Sequence, residues 1–112
     1  MDILFRSGKL QKICNSDKER AKKFGDRQAK RLKRRLDDLR AAKSLADIPR
    51  TPPFRCHELK LNRAGQISVD LEHPYRLIFV VANDPVPKRS DGGLDWEMVT
   101  AIEIVEVTDE YE

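Results

Sequence analysis

Three prolines within five residues, Pro49, Pro52 and Pro53, divide the chain into two halves that obey different periodicities. Proline fixes φ and lacks an amide donor, so no helix continues through such a stretch. Upstream, Ala21, Phe24, Gln28 and Leu32 step by three and four, and Leu32, Leu36, Leu39 and Ala42 extend the stripe toward Leu45 or Ala46. That spacing predicts helices, apolar inside and basic outside. Downstream the period becomes two. In "QISVDL", Ile67, Val69 and Leu71 face one way while Gln66, Ser68 and Asp70 face the other, as in a half-exposed antiparallel strand.

The punctuation between these runs sets the element order. "DILF" places Ile3 and Phe5 on one face of a short strand, and Leu10 and Ile13 suggest a helical turn. "NSD" at 15–17 offers caps, and Gly25-Asp26 predicts a break in the longer helix. The segment from Pro49 to Pro53 is expected to be an extended connector. "YRLIFVVA" reads as a central strand covered on both faces, after a turn at His73-Pro74. "MVTAIEIVEV" supplies the last strand, where the alternation slips at Ile104-Val105 and predicts a bulge. The result is an α+β domain, β-αα-β-β-β, with a twisted, mainly antiparallel sheet carrying the helices on one side. A chain of 112 residues has room for one such domain, over 1–112. The loop "NDPVPKRSDGGLDW" exceeds a tight hairpin, and Trp96 within it either anchors a partner or folds back onto the sheet.

Composition narrows the functional classes. No apolar stretch approaches the roughly 18 residues that span a bilayer, and "MDILFRSGK" lacks a long apolar core and cleavage site of a signal peptide, so a cytosolic protein without membrane contact is expected. Cys14 and Cys56 lie far apart, which suits buried thiols in a reducing compartment. With no clustered ligand spacing, neither a metal nor another cofactor is expected. The net charge of +3 conceals an asymmetry: residues 17–35 hold ten basic and three acidic side chains, whereas 91–112 hold eight acids and no base. Such a basic run is either a solvated helix face or a surface for a polyanion.

The stretch "HELKLNRAGQISVDLEHPYRLIF" concentrates groups suited to RNA cleavage without a metal. That reaction needs a base for the 2′-hydroxyl, cations for the phosphate and an acid for the leaving 5′-oxygen. An imidazole, with its ordinary titration near about pH 6.5, serves either proton role, which makes His57 a candidate. Arg55, Lys60, Arg63 and Arg76 are candidate phosphate ligands, and Tyr75 can stack on a base. Each also has a plain reading, as a polar residue beside a strand, a hairpin decoration or a core-edge aromatic.

The order His57-x-Leu59-Lys60, Gly65, "ISVDL", "YRLIF" from Tyr75 to Phe79, and a last strand running into "TDEYE" resembles the RelE/ParE superfamily of toxin–antitoxin toxins, nearest the HigB or plasmid-maintenance killer branch. The resemblance covers nearly the whole chain. It implies a RelE-like microbial RNase fold and a metal-independent endoribonuclease that cuts mRNA on the ribosome and so inhibits translation. It further implies neutralisation by a helix-turn-helix antitoxin similar to HigA, with operator DNA contacted only through the toxin–antitoxin complex. By this resemblance His57 is an acid/base residue, Lys60 and Arg76 stabilise the scissile phosphate, and Asp109, Tyr111 and Glu112 form the C-terminal part of the site. Arg55, Arg63 and Tyr75 would hold RNA, and the basic helix face would dock on ribosomal RNA. The branch usually ends in Asp-Tyr-His, whereas here Glu112 stands where the histidine would be. Two other readings carry different implications: a ParE-like inhibitor of DNA gyrase, or a binding module without catalysis.

Overall fold

The computed structural model describes residues 1–110. Strand β1 (Asp2–Phe5) leads into helices α1 (Gly8–Asn15) and α2 (Asp17–Ala41). A serine starts each helix. The Ser7 hydroxyl accepts from the Leu10 amide and that of Ser16 from the Glu19 amide, satisfying donors that a first turn leaves without helical partners. Gly25 interrupts α2 with φ 78° and ψ 163°, a left-handed conformation that glycine adopts readily, and the helix resumes beyond it. Leu32, Leu36 and Leu39 on the second limb are fully buried.

The inner helix face is less purely apolar than its spacing predicts, because Arg20, Gln28 and Arg35 are buried with the leucines. Each serves backbone groups that burial would otherwise leave unsatisfied. Arg20 donates to the Cys14 carbonyl and pairs with Asp17. Arg35 donates through Nε to the Asp70 carbonyl at 2.9 Å, and its guanidinium lies 4.2 Å from the centre of the Phe54 ring.

Four further strands, β2 (His57–Glu58), β3 (Gln66–Asp70), β4 (Arg76–Val81) and β5 (Ala101–Thr108), complete a sheet of order β1-β5-β4-β3-β2. β1 runs parallel to β5, and the other neighbours are antiparallel. β2 corrects the four-strand expectation: His57 and Glu58 pair with Ser68 and Ile67, and two residues carry no readable period. The proline segment also departs from an extended connector. The Arg55 amide donates to the Thr51 carbonyl at 3.0 Å and the Cys56 amide to the Pro49 carbonyl at 3.1 Å, so the chain turns back on itself. Proline fixes φ but still supplies a carbonyl, and turns accommodate it as readily as extended chain does.

On β5 the register places Ile78 opposite Glu106 and Phe79 opposite Ile104, so Val105 is the extra residue of a bulge at the place where the alternation slips. Ile67, Val69, Leu77, Phe79, Ile102 and Ile104 meet the helix leucines in one core. β4 is central, and its first four residues are buried. The opposite face of β3 is more enclosed than its polar residues predict, since Ser68 is fully buried and its hydroxyl has no hydrogen-bond partner among the described residues. Trp96 folds back: it is 7% exposed, its indole N–H donates to Glu58 Oε2 at 3.1 Å, and the Arg50 guanidinium lies 3.7 Å from the ring centre. Among the described residues no helix is long and apolar enough to cross a membrane.

Cys14 and Cys56 are buried free thiols, and burial pushes them up to about 11 and about 12 respectively from 9.0. The folded chain therefore holds both protons more tightly than the unfolded chain, a contribution present below pH 9.0 and lost as the pH rises through about 12 for Cys56. Accordingly, Cys56→Ala should show a shallower alkaline loss of stability than the parent between pH 9.0 and about 12 in urea titrations. Trp96→Ala should cost roughly 3–5 kcal/mol in the same assay, the range for truncating a buried aromatic.

Candidate functional site

Directly opposed residues of antiparallel strands share a face, and this rule assembles the site from the registers alone. His57 on β2 opposes Ser68 on β3, which opposes Ile78 on β4 and then Glu106 on β5. In the adjacent row Asp70, Arg76 and Thr108 stand side by side. Ile67, Val69, Leu77 and Phe79 point the other way into the core, so His57, Asp70 and Arg76 occupy the face turned away from the helices. A pocket of about 240 Å³ opens there, lined by Arg55, His57, Asp70, His73, Tyr75 and Arg76 together with Leu71 and Pro74.

The hairpin turn of residues 71–75 brings His73 and Tyr75 to the pocket, and α2 fixes that turn. Gln28 donates from Nε2 to the Glu72 carbonyl at 3.0 Å, and its Oε1 accepts from the Glu72 amide at 3.0 Å. Arg27 and Arg31 lie 3.3 and 3.4 Å from the Glu72 carboxylate. Partial burial acts to raise the Glu72 pKa, but the hydrogen bonds and charges of these two arginines outweigh it and lower the value overall. Tyr75 remains 36% exposed, leaving ring surface for a flat ligand.

His57 points Nδ1 at the Arg55 carbonyl oxygen, 2.7 Å away. Arg76 is 7% exposed, and its Nη2 donates to the Glu110 carbonyl at 2.8 Å, so it links the pocket to the chain beyond β5. Arg55 lies 3.5 Å from Asp70 Oδ2. The pocket therefore holds two guanidiniums, two imidazoles, a phenol and one carboxylate.

The remaining candidates are placed differently. Lys60 is exposed at the start of a single turn over Leu61–Arg63 and does not line the pocket. Asp109 is exposed beyond the end of β5. Tyr111 and Glu112 lie outside the described residues. Arg63, a candidate RNA ligand, also ties strands together: it donates to Gln66 Oε1 at 2.9 Å, pairs with Glu106 at 2.9 Å and approaches Glu110 at 3.7 Å. Its guanidinium thus reaches from β3 across β4 to β5, with its charge already met by carboxylates.

Two participants are not marked by residue type. Sequence alternation places Asp70 only on the outward face of a strand, and the short turn before Arg76 sets the two opposite each other. Gln28 falls within an apolar stripe, and no local signal marks its bonds to a turn 44 residues away. A second, larger groove of about 580 Å³ lies on α2 between Arg27, Lys30, Arg31 and Arg34, with Asp26 and Glu72 on its border. Through Glu72 it adjoins the turn that carries His73. Among the described residues, no group of three or more His, Cys, Asp and Glu side chains could hold a metal ion. No family model matches the chain, and no curated protein matches it.

Gln28→Ala should remove both bonds to the turn while leaving α2 its best helix former. A loss of about 1–3 kcal/mol in chemical denaturation is expected, the scale for stranding buried backbone groups. The Glu72 amide should also lose hydrogen-exchange protection relative to the amides of β4.

Proposed function

We propose that the chain is a ribonuclease toxin of RelE/ParE type, nearest the HigB branch, which cuts translated mRNA on the ribosome and is held inactive by a helix-turn-helix antitoxin. The observation that carries this reading is the convergence of His57, His73, Arg55, Arg76 and Tyr75 on one pocket of the helix-free sheet face. Acid/base groups, cations and a stacking ring in one concavity match the needs of 2′-hydroxyl attack on a phosphodiester.

In the proposed reaction His57 removes the 2′-hydroxyl proton as the 2′-oxygen bonds to phosphorus. The bond from phosphorus to the 5′-oxygen breaks, and His73 gives that oxygen a proton. The products are a 2′,3′-cyclic phosphate and a free 5′-hydroxyl, with no redox partner consumed. Arg76 and Arg55 oppose the charge that builds on the phosphate oxygens, and Tyr75 stacks on a neighbouring base. His73 takes the acid role in place of the histidine that ends most HigB-like chains. Lys60, Asp109, Tyr111 and Glu112 keep the roles that the resemblance implies.

The groove on α2 supports the ribosomal half of the reading. Arg27, Lys30, Arg31 and Arg34 follow one another along one side of the helix at spacings suited to a phosphate backbone, and Glu72, which lines the groove, is the sequence neighbour of His73 in the pocket. Binding through such contacts weakens steeply with added salt as counterions are no longer released to a dilute bath.

Induced expression in bacteria, followed by mapping of mRNA 5′ ends, tests the proposal. Growth arrest with new cuts inside translated codons is expected, and His57→Ala or His73→Ala should reduce cutting by about 10²–10⁴-fold, the usual contribution of a general acid or base. Arrest without cuts would point instead to gyrase or another target. Full toxicity in both variants would sink the catalytic assignment.

A further inference from the structure

The residue that holds His57 is itself held. The oxygen of the Arg55 carbonyl, 2.7 Å from Nδ1, can only accept a hydrogen bond, so the contact requires the proton on Nδ1. A neutral ring then carries its lone pair on Nε2. Arg55 aims that carbonyl from a left-handed backbone, with φ 46°, which residues other than glycine seldom adopt. Such conformations persist where the surroundings over-determine them, and they concentrate at functional sites.

Two contacts determine this one. The Arg55 amide donates to the Thr51 carbonyl at 3.0 Å, and its guanidinium lies 3.5 Å from Asp70 Oδ2. Asp70 is fixed in turn at its own backbone: its amide donates to the Phe54 carbonyl at 2.8 Å, and its carbonyl accepts from buried Arg35 at 2.9 Å. A chain of contacts thus runs from the second limb of α2 through Asp70 and Arg55 to the imidazole.

We infer that Arg55 and Asp70 are positioning residues that hold His57 as its Nδ1–H tautomer, so that Nε2 is the nitrogen that exchanges protons with the substrate. The substrate's being RNA rests on the function proposed above. The tautomer does not, because it is set within the unliganded chain.

The test is a long-range ¹⁵N–¹H correlation spectrum of the imidazoles in the full ¹⁵N-labelled chain, recorded without RNA at about pH 8, above the ordinary imidazole titration. His57 should show a pyrrole-type Nδ1 and a pyridine-type Nε2. Asp70→Asn removes the charge opposite Arg55, and Arg55→Gly tolerates the left-handed backbone while removing the side chain. Each should move the tautomer ratio about two- to fivefold toward the mixture of an unconstrained ring, the effect a modest ion pair supplies. An Nε2–H ring in the parent, or an unchanged ratio in either folded variant, overturns the inference. The parent spectrum decides it even where a variant fails to fold. Should His57→Ala keep its toxicity while the spectrum is as expected, the nuclease reading falls and the positioning assignment stands.

Discussion

The amide of one glutamine joins the two halves of this molecule at the point where chemistry is proposed. Gln28 both donates to and accepts from the backbone of Glu72, closing a two-bond ring between the second limb of α2 and the turn that ends β3. The turn is only a few residues long, and its neighbours Asp70 and Arg76 are locked by strand pairing. His73 and Tyr75 therefore have little freedom once Glu72 is fixed. The ion pairs of Arg27 and Arg31 with the Glu72 side chain reinforce this contact, that of exposed Arg27 contributing little and that of half-buried Arg31 spanning a loose 3.4 Å. The amide contact is the stronger restraint because one of its partners is buried and both of its bonds are to backbone.

Periodicity carried most of the architecture, and the reasons for its failures are local. The leucines of α2 and the alternation of β3 were legible because burial on one face repeats at the period of the element. Gly25 and the slip at Val105 were legible because both interrupt such a repeat. β2 escaped notice because two residues show no period, and the buried arginines escaped because their partners are carbonyl oxygens, which every residue possesses. At the site, His57, Tyr75 and Arg76 could be picked out by residue type, yet Asp70 and the pocket role of His73 depended on the register of a hairpin. Arg63 shows what residue type alone leaves out. Its charge suggested phosphate, whereas Glu106 and Glu110, more than forty residues away in sequence, already lie beside it.

The charge asymmetry of the chain becomes spatial in the fold. Basic residues of α2 form a groove along the helix, and the carboxylates of Glu106 on β5 and Glu110 after it meet Arg63 on the far side of the sheet. The acidic end of the sequence thus meets the charge of Arg63, while the cations of the helix groove share its lining with Asp26 and Glu72. Under the proposed function, this divides labour between a surface that gathers a polyanion and a smaller concavity that acts on one of its linkages.

The extra residue in β5 has a consequence for how the last strand keeps phase with the sheet. Ile104 and Val107 oppose Phe79 and Leu77 and so both face the helices, although they are separated by three positions, an interval that a regular strand would place on opposite sides. Val105 absorbs the odd step. Beyond it Glu106 and Thr108 turn toward the pocket face, where Glu106 meets Arg63 and the following residues reach Arg76. Pairing Val105 as an ordinary strand residue, with no bulge, would make the strand more regular and would invert everything after it, turning Glu106 toward the apolar core and Val107 away from it. The irregularity is a phase shifter that lets one strand serve the core along its first half and the candidate site along its second.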